Sequence, residues 1–263
     1  MSYATQQRSE RILAQIYERG HVTVRDLAAD MAVSGATIRR DLRSLARGGQ
    51  VELVYGGARL VRNSDYSFRS KAMRNVEAKR VIGRLAADLV ADADQVFIDS
   101  GTTSFELACR LKQKRGLCII VNSARLALEL DSPGLSVILV GGQYRQDRMD
   151  TTGPLATSAL EQLRGYVAFI GADGLSVDFG LTASDIESAH LYRLAAANAR
   201  QTILLVDHSK FEAPSLFKIV DWEAISRVVT DRRPAEDWMA FFARRQIEVI
   251  CPGPEQAAQV EAG

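Results

Sequence analysis

The clearest pattern of apolar and polar positions lies in residues 34–47, SGATIRRDLRSLAR. A helix advances by about 100° per residue, so this segment would place apolar and basic side chains on opposite faces. The apolar face carries Ile38, Leu42 and Leu45, and the opposite face carries Arg40, Arg43 and Arg47. An arginine face is usually only the solvated side of a helix. The neighbouring segments are needed to choose between that interpretation and an anion-binding surface.

Two helical patterns precede this segment. In residues 8–19 apolar side chains recur at helical spacing, and Gly20 supplies a stop. Thr23 is the expected N-cap of a second short helix, and Ser34 is the expected N-cap of the third. Two short helices joined by a tight turn, the second of which exposes basic residues, are typical of a helix-turn-helix whose second helix lies in the major groove of DNA.

The segment after the third helix predicts a small hairpin, or wing. Two extended stretches, 51–54 and 58–61, flank a turn at residues 55–57. Arg59 and Arg62 lie on or just beyond this hairpin, where their guanidinium groups could contact phosphate or the minor groove. The three helices and the wing together predict a winged helix-turn-helix DNA-binding domain over residues 1–62.

The DNA contacts expected of this domain follow from side-chain chemistry. Arginine can bridge O6 and N7 of guanine or bind a phosphate, and short hydroxyl side chains at a helix N-terminus can donate to the DNA backbone. The candidate DNA-binding residues are Ser34, Ala36, Thr37, Arg39, Arg40, Arg43, Arg47, Tyr55 and Arg59. Arg39 and Asp41 flank the apolar face, and the alternative is that they only pair with neighbouring side chains.

The remaining chain has a different organisation. Residues 63–75 are polar and without clear period, which is typical of a linker, and an amphipathic helix is expected over 76–91. Beyond it, short apolar runs alternate with helical segments. The predicted strands are 96–98, 117–121, 137–140, 167–170, 202–206, 227–229 and 247–250. This alternation predicts an α/β domain with a mainly parallel sheet over residues 76–263.

Polar clusters directly follow five of the predicted strands. Because ligands of open α/β sheets bind beyond the carboxyl ends of the strands, we expect these clusters to converge on one pocket. The candidate effector-binding residues are Asp99, Ser100, Gly101, Thr102, Thr103, Asn122, Gly142, Arg145, Asp150, Asp173 and Lys210. Residues 100–103 open a helix whose N–H groups and dipole would hold a phosphate, and Lys210 would add positive charge.

The other candidates suit a hydroxylated ligand. Asp99 and Asp173 can accept hydrogen bonds from sugar hydroxyls, and Asn122 can both donate and accept. Arg145 and Asp150 lie in the loop after the third predicted strand, where they would close over the ligand. Each signal has a structural alternative, because Gly-Thr-Thr is common at helix starts and an aspartate can cap a strand end.

Composition and charge narrow the class of function. The 263 residues are 47% hydrophobic and 25% charged, which is ordinary for a globular protein. Residues 1–62 hold ten arginines and six acidic residues, a balance of +4, and the rest of the chain carries −3, so a polyanion-binding N-terminal module is favoured.

No apolar run approaches the ~20 residues of a membrane span and no secretory signal is present, so we expect a cytoplasmic protein. The three cysteines are scattered, and we expect neither a metal nor another cofactor.

Several segments resemble one family of regulators. VRDLAADMAVSGATIRRDLRSLARGGQVELVYGGARL resembles the N-terminal domain of the DeoR-family bacterial transcription regulators, with its VS-x-x-TIRRDL helix and Tyr/His-Gly-Gly-Ala wing. EAKRVIGRLAADLV, DSGTT, VNSA, LVGGQYR, FIGADGL, GLT and DHSKF are similar, in this order, to the sensor domain of that family. The resemblance implies a sensor fold similar to the ribose-5-phosphate isomerase and coenzyme A transferase group, with phosphorylated sugars or sugar derivatives as effectors. The effector contacts it implies are Asp99, Gly101, Thr102, Thr103, Asn122 and Lys210, while Leu53, Asp150 and His208 depart from the family pattern.

We therefore expect a transcriptional regulator and not an enzyme: a repressor of a carbohydrate catabolic operon, controlled by a phosphorylated sugar or sugar derivative. Its expected partners are double-stranded operator DNA, the small effector, and further copies of the chain in a homodimer or homotetramer. Two alternatives are an isomerase-like enzyme acting on sugar phosphates and an architectural DNA-binding protein without a ligand. No nucleophile elbow, HExxH, Walker loop or dinucleotide fingerprint supports the enzyme, and the strand-end clusters argue against the architectural protein.

Overall fold

The computed structural model describes residues 3–47, 51–60, 68–211 and 214–253. The chain divides into two compact units, Met1–Arg74 and Asn75–Gly263, which we call the N-terminal and the C-terminal unit. The finer division into 1–62, 63–75 and 76–263 stays a prediction. Among the described residues, no helix combines the length and the apolar character that a membrane span requires.

The N-terminal unit combines helices with one small antiparallel sheet. Its elements are α1 (Tyr3–Arg19), β1 (His21–Thr23), α2 (Val24–Asp30), α3 (Gly35–Arg47), β2 (Val51–Val54), β3 (Gly57–Leu60) and α4 (Phe68–Ala72). The sheet order is β1–β3–β2, so β2 and β3 form the expected wing and β1 pairs with β3. The winged helix-turn-helix is confirmed, and β1 is an addition whose three residues are too few to show alternation.

Short polar side chains determine where α2 and α3 begin. Thr23 Oγ1 accepts a hydrogen bond from Asp26 N at 3.1 Å. Ser34 Oγ accepts one from Thr37 N at 3.2 Å, so both expected N-caps are present. The apolar positions of α1, α2 and α3 meet in one core, whose fully buried side chains include Ile12, Ile16, Leu27, Ile38 and Leu42.

Part of the expected linker is folded. Residues 68–72 form α4 in the N-terminal unit, and Phe68 is buried there. One buried phenylalanine in a short polar stretch produces no helical period, so the sequence pattern did not indicate this helix. Residues 61–67 lie outside the described residues, and with them the last residue of the predicted wing and Arg62.

The C-terminal unit contains a seven-stranded parallel sheet with helices on both faces. Its elements are α5 (Val76–Ala87), β4 (Gln95–Ile98), α6 (Thr102–Leu111), β5 (Cys118–Val121), α7 (Ala124–Glu129), β6 (Ser136–Leu139), β7 (Gln143–Arg145), β8 (Asp150–Thr152), α8 (Pro154–Glu161), β9 (Val167–Gly171), β10 (Gly174–Ser176), β11 (Gly180–Ala183), α9 (Ile186–Asn198), β12 (Gln201–Leu205), β13 (Phe217–Lys218), β14 (Arg227–Val229), α10 (Glu236–Arg244) and β15 (Glu248–Ile250). Two 3-10 helices span His208–Phe211 and Trp222–Ala224. The order of the large sheet is β15–β14–β12–β9–β4–β5–β6.

Each face of the large sheet is covered by helices over its own core. On one face, α5, α6 and α7 contribute buried side chains such as Ile82, Leu107 and Leu126. On the other, α8, α9 and α10 contribute side chains such as Leu160 and Phe242. Strands buried on both faces appear in the sequence as continuous apolar runs, and all seven predicted strands are found in this sheet. The predicted α/β fold class is confirmed.

The smaller strands of the C-terminal unit were not predicted. β7 and β8 form an antiparallel hairpin where the sequence indicated a loop, and β10, β11 and β13 form a second small sheet. These strands have two to four residues, too few for alternation to be recognised. The helix expected over 76–91 ends at Ala87, and Ala93 follows with a φ of 64°. The three cysteines are free and half-buried.

Candidate functional site

The outer face of α3 is lined with arginine. Its exposed basic residues are Arg39, Arg40, Arg43 and Arg47. Among the described residues, none of these four guanidinium groups has an ion-pair or hydrogen-bond partner. Ser34 and Ala36 are exposed at the start of the helix, and Thr37 is half-buried. The face therefore offers uncompensated positive charge to an anionic partner, and its individual DNA contacts stay predictions.

One acidic residue of α3 is directed away from this face. Asp41 is 3% exposed, and its carboxylate accepts a hydrogen bond from Arg8 Nε on α1 at 2.6 Å. The pair attaches α3 to α1 and leaves the arginine face without a neutralising carboxylate. The sequence allowed that Asp41 pairs with a neighbour but did not identify Arg8, because no local pattern relates residues 33 positions apart.

The two wing candidates stand in different surroundings. Tyr55 is fully exposed at the turn, where Gly56 adopts a φ of 78°. Arg59 donates to the Glu52 carboxylate on the neighbouring strand through Nε at 3.0 Å and Nη2 at 3.2 Å. A DNA phosphate would have to compete with Glu52 for Arg59, whereas it would reach Tyr55 directly.

The strand order brings the polar strand-end clusters to neighbouring positions along one edge of the large sheet. β4 and β9 lie side by side, β5 and β6 continue in one direction, and β12, β14 and β15 continue in the other. A reversal of strand order opens a crevice at the carboxyl ends, where open α/β sheets bind ligands. Asp99 and Gly171 stand at this crevice, Asn122 follows β5, and Asp207 follows β12.

Asp99 ties the two central strands together. Its Oδ1 accepts a hydrogen bond from Gly101 N at 2.9 Å, and its Oδ2 accepts one from Gly171 N at 2.6 Å. Burial raises the pKa of this carboxyl above its ordinary value. Asp99 was expected to accept sugar hydroxyls, but both of its oxygens already accept backbone hydrogen bonds. It therefore shapes the crevice, and a ligand contact through it stays a prediction.

The start of α6 offers backbone donors at this crevice. Gly101 is the N-cap and provides no side-chain acceptor, so the helix begins with an uncapped first turn and the positive end of its dipole. A β-carbon at Gly101 would lie 3.0 Å from Asp99 Oδ1, which favours glycine at this position. Thr103 is half-buried and Thr102 is 8% exposed. This arrangement is suited to an anion such as phosphate.

Ser100, Arg145 and Asp150 belong to a buried hydrogen-bond network. Arg145 donates to both oxygens of Asp150, through Nε at 2.8 Å and Nη2 at 2.7 Å. Ser100 Oγ donates to Asp150 at 2.9 Å and lies 2.8 Å from the Tyr192 hydroxyl. Arg145 Nη1 also donates to Asp185, the N-cap of α9, at 2.7 Å.

Arg145 and Asp150 do not lie in a loop as expected, since they end β7 and begin β8, and their closure over a ligand stays a prediction. Asp150 is fully buried, and a buried carboxylate requires a charged partner, so Arg145 is committed to it. Burial would raise the pKa of Asp185, but the Ser188 N–H and the charges of Arg148 and Arg145 outweigh it and lower the pKa. These hydrogen bonds thus connect the β7–β8 hairpin both to Ser100 and to the start of α9.

Three further candidates differ in what they can offer a ligand. Asn122 is fully buried; its Nδ2 donates to a β8 carbonyl at 3.1 Å, and its Oδ1 has no hydrogen-bond partner among the residues described. Gly142 is required by packing, because a β-carbon there would lie 2.6 Å from a β8 carbonyl oxygen. Asp173 accepts a hydrogen bond from Ser184 N at 2.8 Å. As ligand contacts all three stay predictions.

Lys210 lies in the 3-10 helix after β12, close to the buried Asp207. Burial would raise the pKa of Asp207, but the charge of Lys210 and hydrogen bonds from Ser209 outweigh it and lower the pKa. The positive charge of Lys79 on α5, which is 6% exposed, also lowers the pKa of Asp207. Lys79 is not among the residues predicted from the sequence. The sequence pattern that could have indicated Lys79 is its spacing of three and seven residues from the apolar positions 82 and 86, which places it on the inward face of the helix.

Two protein-family models match the chain. One is described as a DeoR-like helix-turn-helix domain and matches residues 8–64, and the other is described as a DeoR C terminal sensor domain and matches residues 74–232. The HTH-type transcriptional repressor CsqR of Escherichia coli is 30% identical over 93% of this chain and 95% of that protein. The lactose phosphotransferase system repressor of Lactococcus lactis is 30% identical over 90% of this chain and 95% of the repressor. The solved ribose 5-phosphate isomerase of Plasmodium falciparum is 15% identical over 51% of this chain and 52% of its own, with a TM-score of 0.38.

Proposed function

The chain belongs to the DeoR family of transcriptional regulators, and from this membership we propose that it represses a carbohydrate catabolic operon under the control of a phosphorylated sugar. In this proposal the N-terminal unit binds operator DNA, and the C-terminal unit binds the sugar. Sugar-phosphate binding by the C-terminal unit is supported above all by the uncapped start of α6 at the crevice between β4 and β9. Lys210 follows β12, the strand next to β9.

The arginine face of α3 supports the DNA-binding half. A guanidinium group can donate two hydrogen bonds to one guanine, and its charge releases counterions from the phosphate backbone. Arg40 and Arg43 lie opposite the buried face of the helix, so we assign base reading to them. Tyr55 and Arg59 on the wing then contact the DNA backbone or the minor groove. A chromosomal regulator acts in the cytoplasm, where we place the protein.

The start of α6 supports the effector half. The N–H groups of its first turn and the helix dipole favour a dianionic phosphate, and Lys210 supplies a formal charge for the same group. Asn122 Oδ1, an acceptor without a partner among the described residues, suits a sugar hydroxyl. Thr103 and Asp173, both half-buried, complete the set of polar side chains offered to the sugar.

Oligomerisation belongs to the proposal as well. A single winged helix reads only one half-site, and repressors gain affinity and specificity by presenting two such modules to a repeated operator. We assign self-association as a homodimer or homotetramer to the C-terminal unit. The Lactococcus relative is named as the repressor of a lactose phosphotransferase system, which agrees with a carbohydrate operon as the target.

Paired binding measurements test the two halves separately. Thermal unfolding of the full chain is followed with ribose 5-phosphate, glucose 6-phosphate, fructose 6-phosphate and inorganic phosphate, and operator binding is followed by mobility shift with DNA upstream of the neighbouring operon. Lys210→Ala should abolish the rise in unfolding temperature that a sugar phosphate causes, and it should retain operator binding. Lys112→Ala, which removes another lysine charge, should retain both properties. If none of the sugar phosphates raises the unfolding temperature of the wild type, the effector half of the proposal is wrong.

The DNA-binding half has its own variants. Arg40→Ala should weaken operator binding by roughly 5- to 150-fold, the range expected for an arginine that reads a base. Arg232→Ala removes the same charge from an exposed position of the C-terminal unit and should leave operator binding unchanged. If Arg40→Ala bound the operator as tightly as the wild type, the groove assignment would be wrong.

A further inference from the structure

Asn75 makes a contact that its position in the chain does not suggest. It is the N-cap of α5, but its side chain does not cap the helix. Its Nδ2 instead donates to Asp207 Oδ1 at 3.0 Å and to Ser209 Oγ at 3.3 Å. Its backbone is left-handed, with φ 49° and ψ 45°, a conformation that asparagine tolerates better than most residues. The first residue of the C-terminal unit is thus attached to the loop that carries Lys210.

The acceptor of this contact is held in its charged form. Asp207 is 2% exposed, and its Oδ1 also accepts hydrogen bonds from Ser209 N at 3.0 Å and Ser209 Oγ at 2.5 Å. The positive charges of Lys210 and Lys79 lie near the same carboxylate. An anion that binds Lys210 competes with Asp207 for that charge, so ligand binding alters the surroundings of the group that holds Asn75.

The helix that begins at Asn75 also contacts the other half of the proposed effector site. α5 packs against α6, and a β-carbon at Gly83 would lie 2.6 Å from the Glu106 backbone carbon. α6 is the helix whose first turn offers the backbone donors. The loop that carries Lys210 contacts Asn75, the N-cap of α5, and α6 packs against the same helix at Gly83. A phosphate bound by the first turn of α6 and by Lys210 would therefore contact two segments that each touch α5 or its N-cap.

We propose that Asn75 is a positioning residue that couples the Asp207–Lys210 loop to the start of α5, and so transmits effector occupancy to the chain segment that enters the C-terminal unit. Arg74, the last residue of the N-terminal unit, is bonded directly to it. The inference rests on the effector site proposed above. It names the contact through which that site changes operator affinity.

Asn75→Gly is the variant that isolates the contact. Glycine adopts the left-handed backbone without strain, so the substitution removes the side-chain amide and leaves the helix start intact. Asn75→Asp keeps the size but replaces the donor with a carboxylate that faces Asp207. Glu77→Gln is the matched control, because Glu77 lies in the first turn of α5 and, among the described residues, pairs only with Arg80 at the surface.

The measured quantity is the ratio of operator affinities with and without the sugar phosphate that stabilises the wild type. Allosteric ratios are typically roughly 5- to 150-fold. In Asn75→Gly and Asn75→Asp the ratio should fall to within about twofold of one, while the sugar phosphate still raises the unfolding temperature. Glu77→Gln should keep the wild-type ratio. Amide hydrogen exchange should also accelerate in residues 208–211 of Asn75→Gly and not of Glu77→Gln.

The opposite results would contradict either the coupling role of Asn75 or the effector site itself. A wild-type ratio retained by Asn75→Gly, or unchanged exchange in residues 208–211, overturns the coupling role. Loss of the ligand-induced stabilisation in Asn75→Gly also overturns it, because Asn75 would then build the pocket and not transmit its occupancy. A wild type that responds to none of the sugar phosphates instead refutes the effector site itself, so the two failures are distinguishable.

Discussion

Replacing Gly83 with alanine should destabilise the C-terminal unit, although alanine is the better helix former. Gly83 lies inside α5 at its contact with α6. A β-carbon there would lie 2.6 Å from the carbonyl carbon and 2.7 Å from the carbonyl oxygen of Glu106. Both are backbone atoms of a packed helix, and they cannot rotate aside as the end of a long side chain can.

Two opposing terms set the size of this effect. Alanine in a helix interior favours folding over glycine by about 1 kcal/mol. Overpacking a close contact costs about 1–3 kcal/mol, and two backbone atoms inside 3.0 Å place this contact at the upper end. The expected net result is a loss of about 2 kcal/mol in the free energy of unfolding, or a roughly 30-fold lower ratio of folded to unfolded chains.

Urea unfolding followed by tryptophan fluorescence measures the change. Both tryptophans, Trp222 and Trp238, lie in the C-terminal unit, so the signal reports that unit alone. Gly35→Ala is the matched control: Gly35 is also helical, but a β-carbon there would come no closer than 3.4 Å to another atom. Followed by helical ellipticity, it should leave the N-terminal unit as stable as before or more so. A Gly83→Ala protein with a higher midpoint at unchanged urea dependence would refute the close-packing argument.

Three further predictions concern single side chains. Asp41→Ala leaves Arg8 without its carboxylate, so the free energy of unfolding of the N-terminal unit should fall by about 1.5–3 kcal/mol in urea, and an unchanged midpoint would contradict the pairing. Tyr55→Ala should leave that midpoint unchanged, because the side chain is fully exposed, but should weaken operator binding several-fold; unchanged binding would remove Tyr55 from the DNA contacts. Since Asp185 has a lowered pKa in the folded chain, its ion pairs stabilise above the ordinary aspartate pKa of about 3.9 and cease to do so as pH falls through the folded value. Asp185→Asn should therefore lower the urea midpoint at neutral pH and do so much less in strong acid, and an equal loss at both pH values would argue against the charge as the cause.

Elements with a local signature were predicted from the sequence. Strands such as β9 and β12, which are buried within the large sheet, appear as apolar runs, and the hydroxyl side chains of Thr23 and Ser34 indicate where α2 and α3 begin. β1, β7 and β8 have three residues each, which is too short for alternation, so they were missed. The candidate site was predicted as a set of strand ends. Which of these residues form hydrogen bonds within the protein was not predicted, because partners that lie far apart in the sequence leave no local pattern.

The residue order alone specifies the arginine face of α3, the helix N-caps and the alternation of strands and helices, because each depends on side chains within a few positions of one another. Tertiary structure decides which strand ends are neighbours. Asp99 binds Gly171, 72 positions away, and Asn75 binds Asp207, 132 positions away. The first contact requires β9 to lie beside β4, and the second requires the loop after β12 to reach the start of α5, so both depend on the packing of the whole unit. For this reason residue type alone did not indicate that Asp99 and Asp150 accept hydrogen bonds from within the protein, and their contacts with a ligand stay predictions.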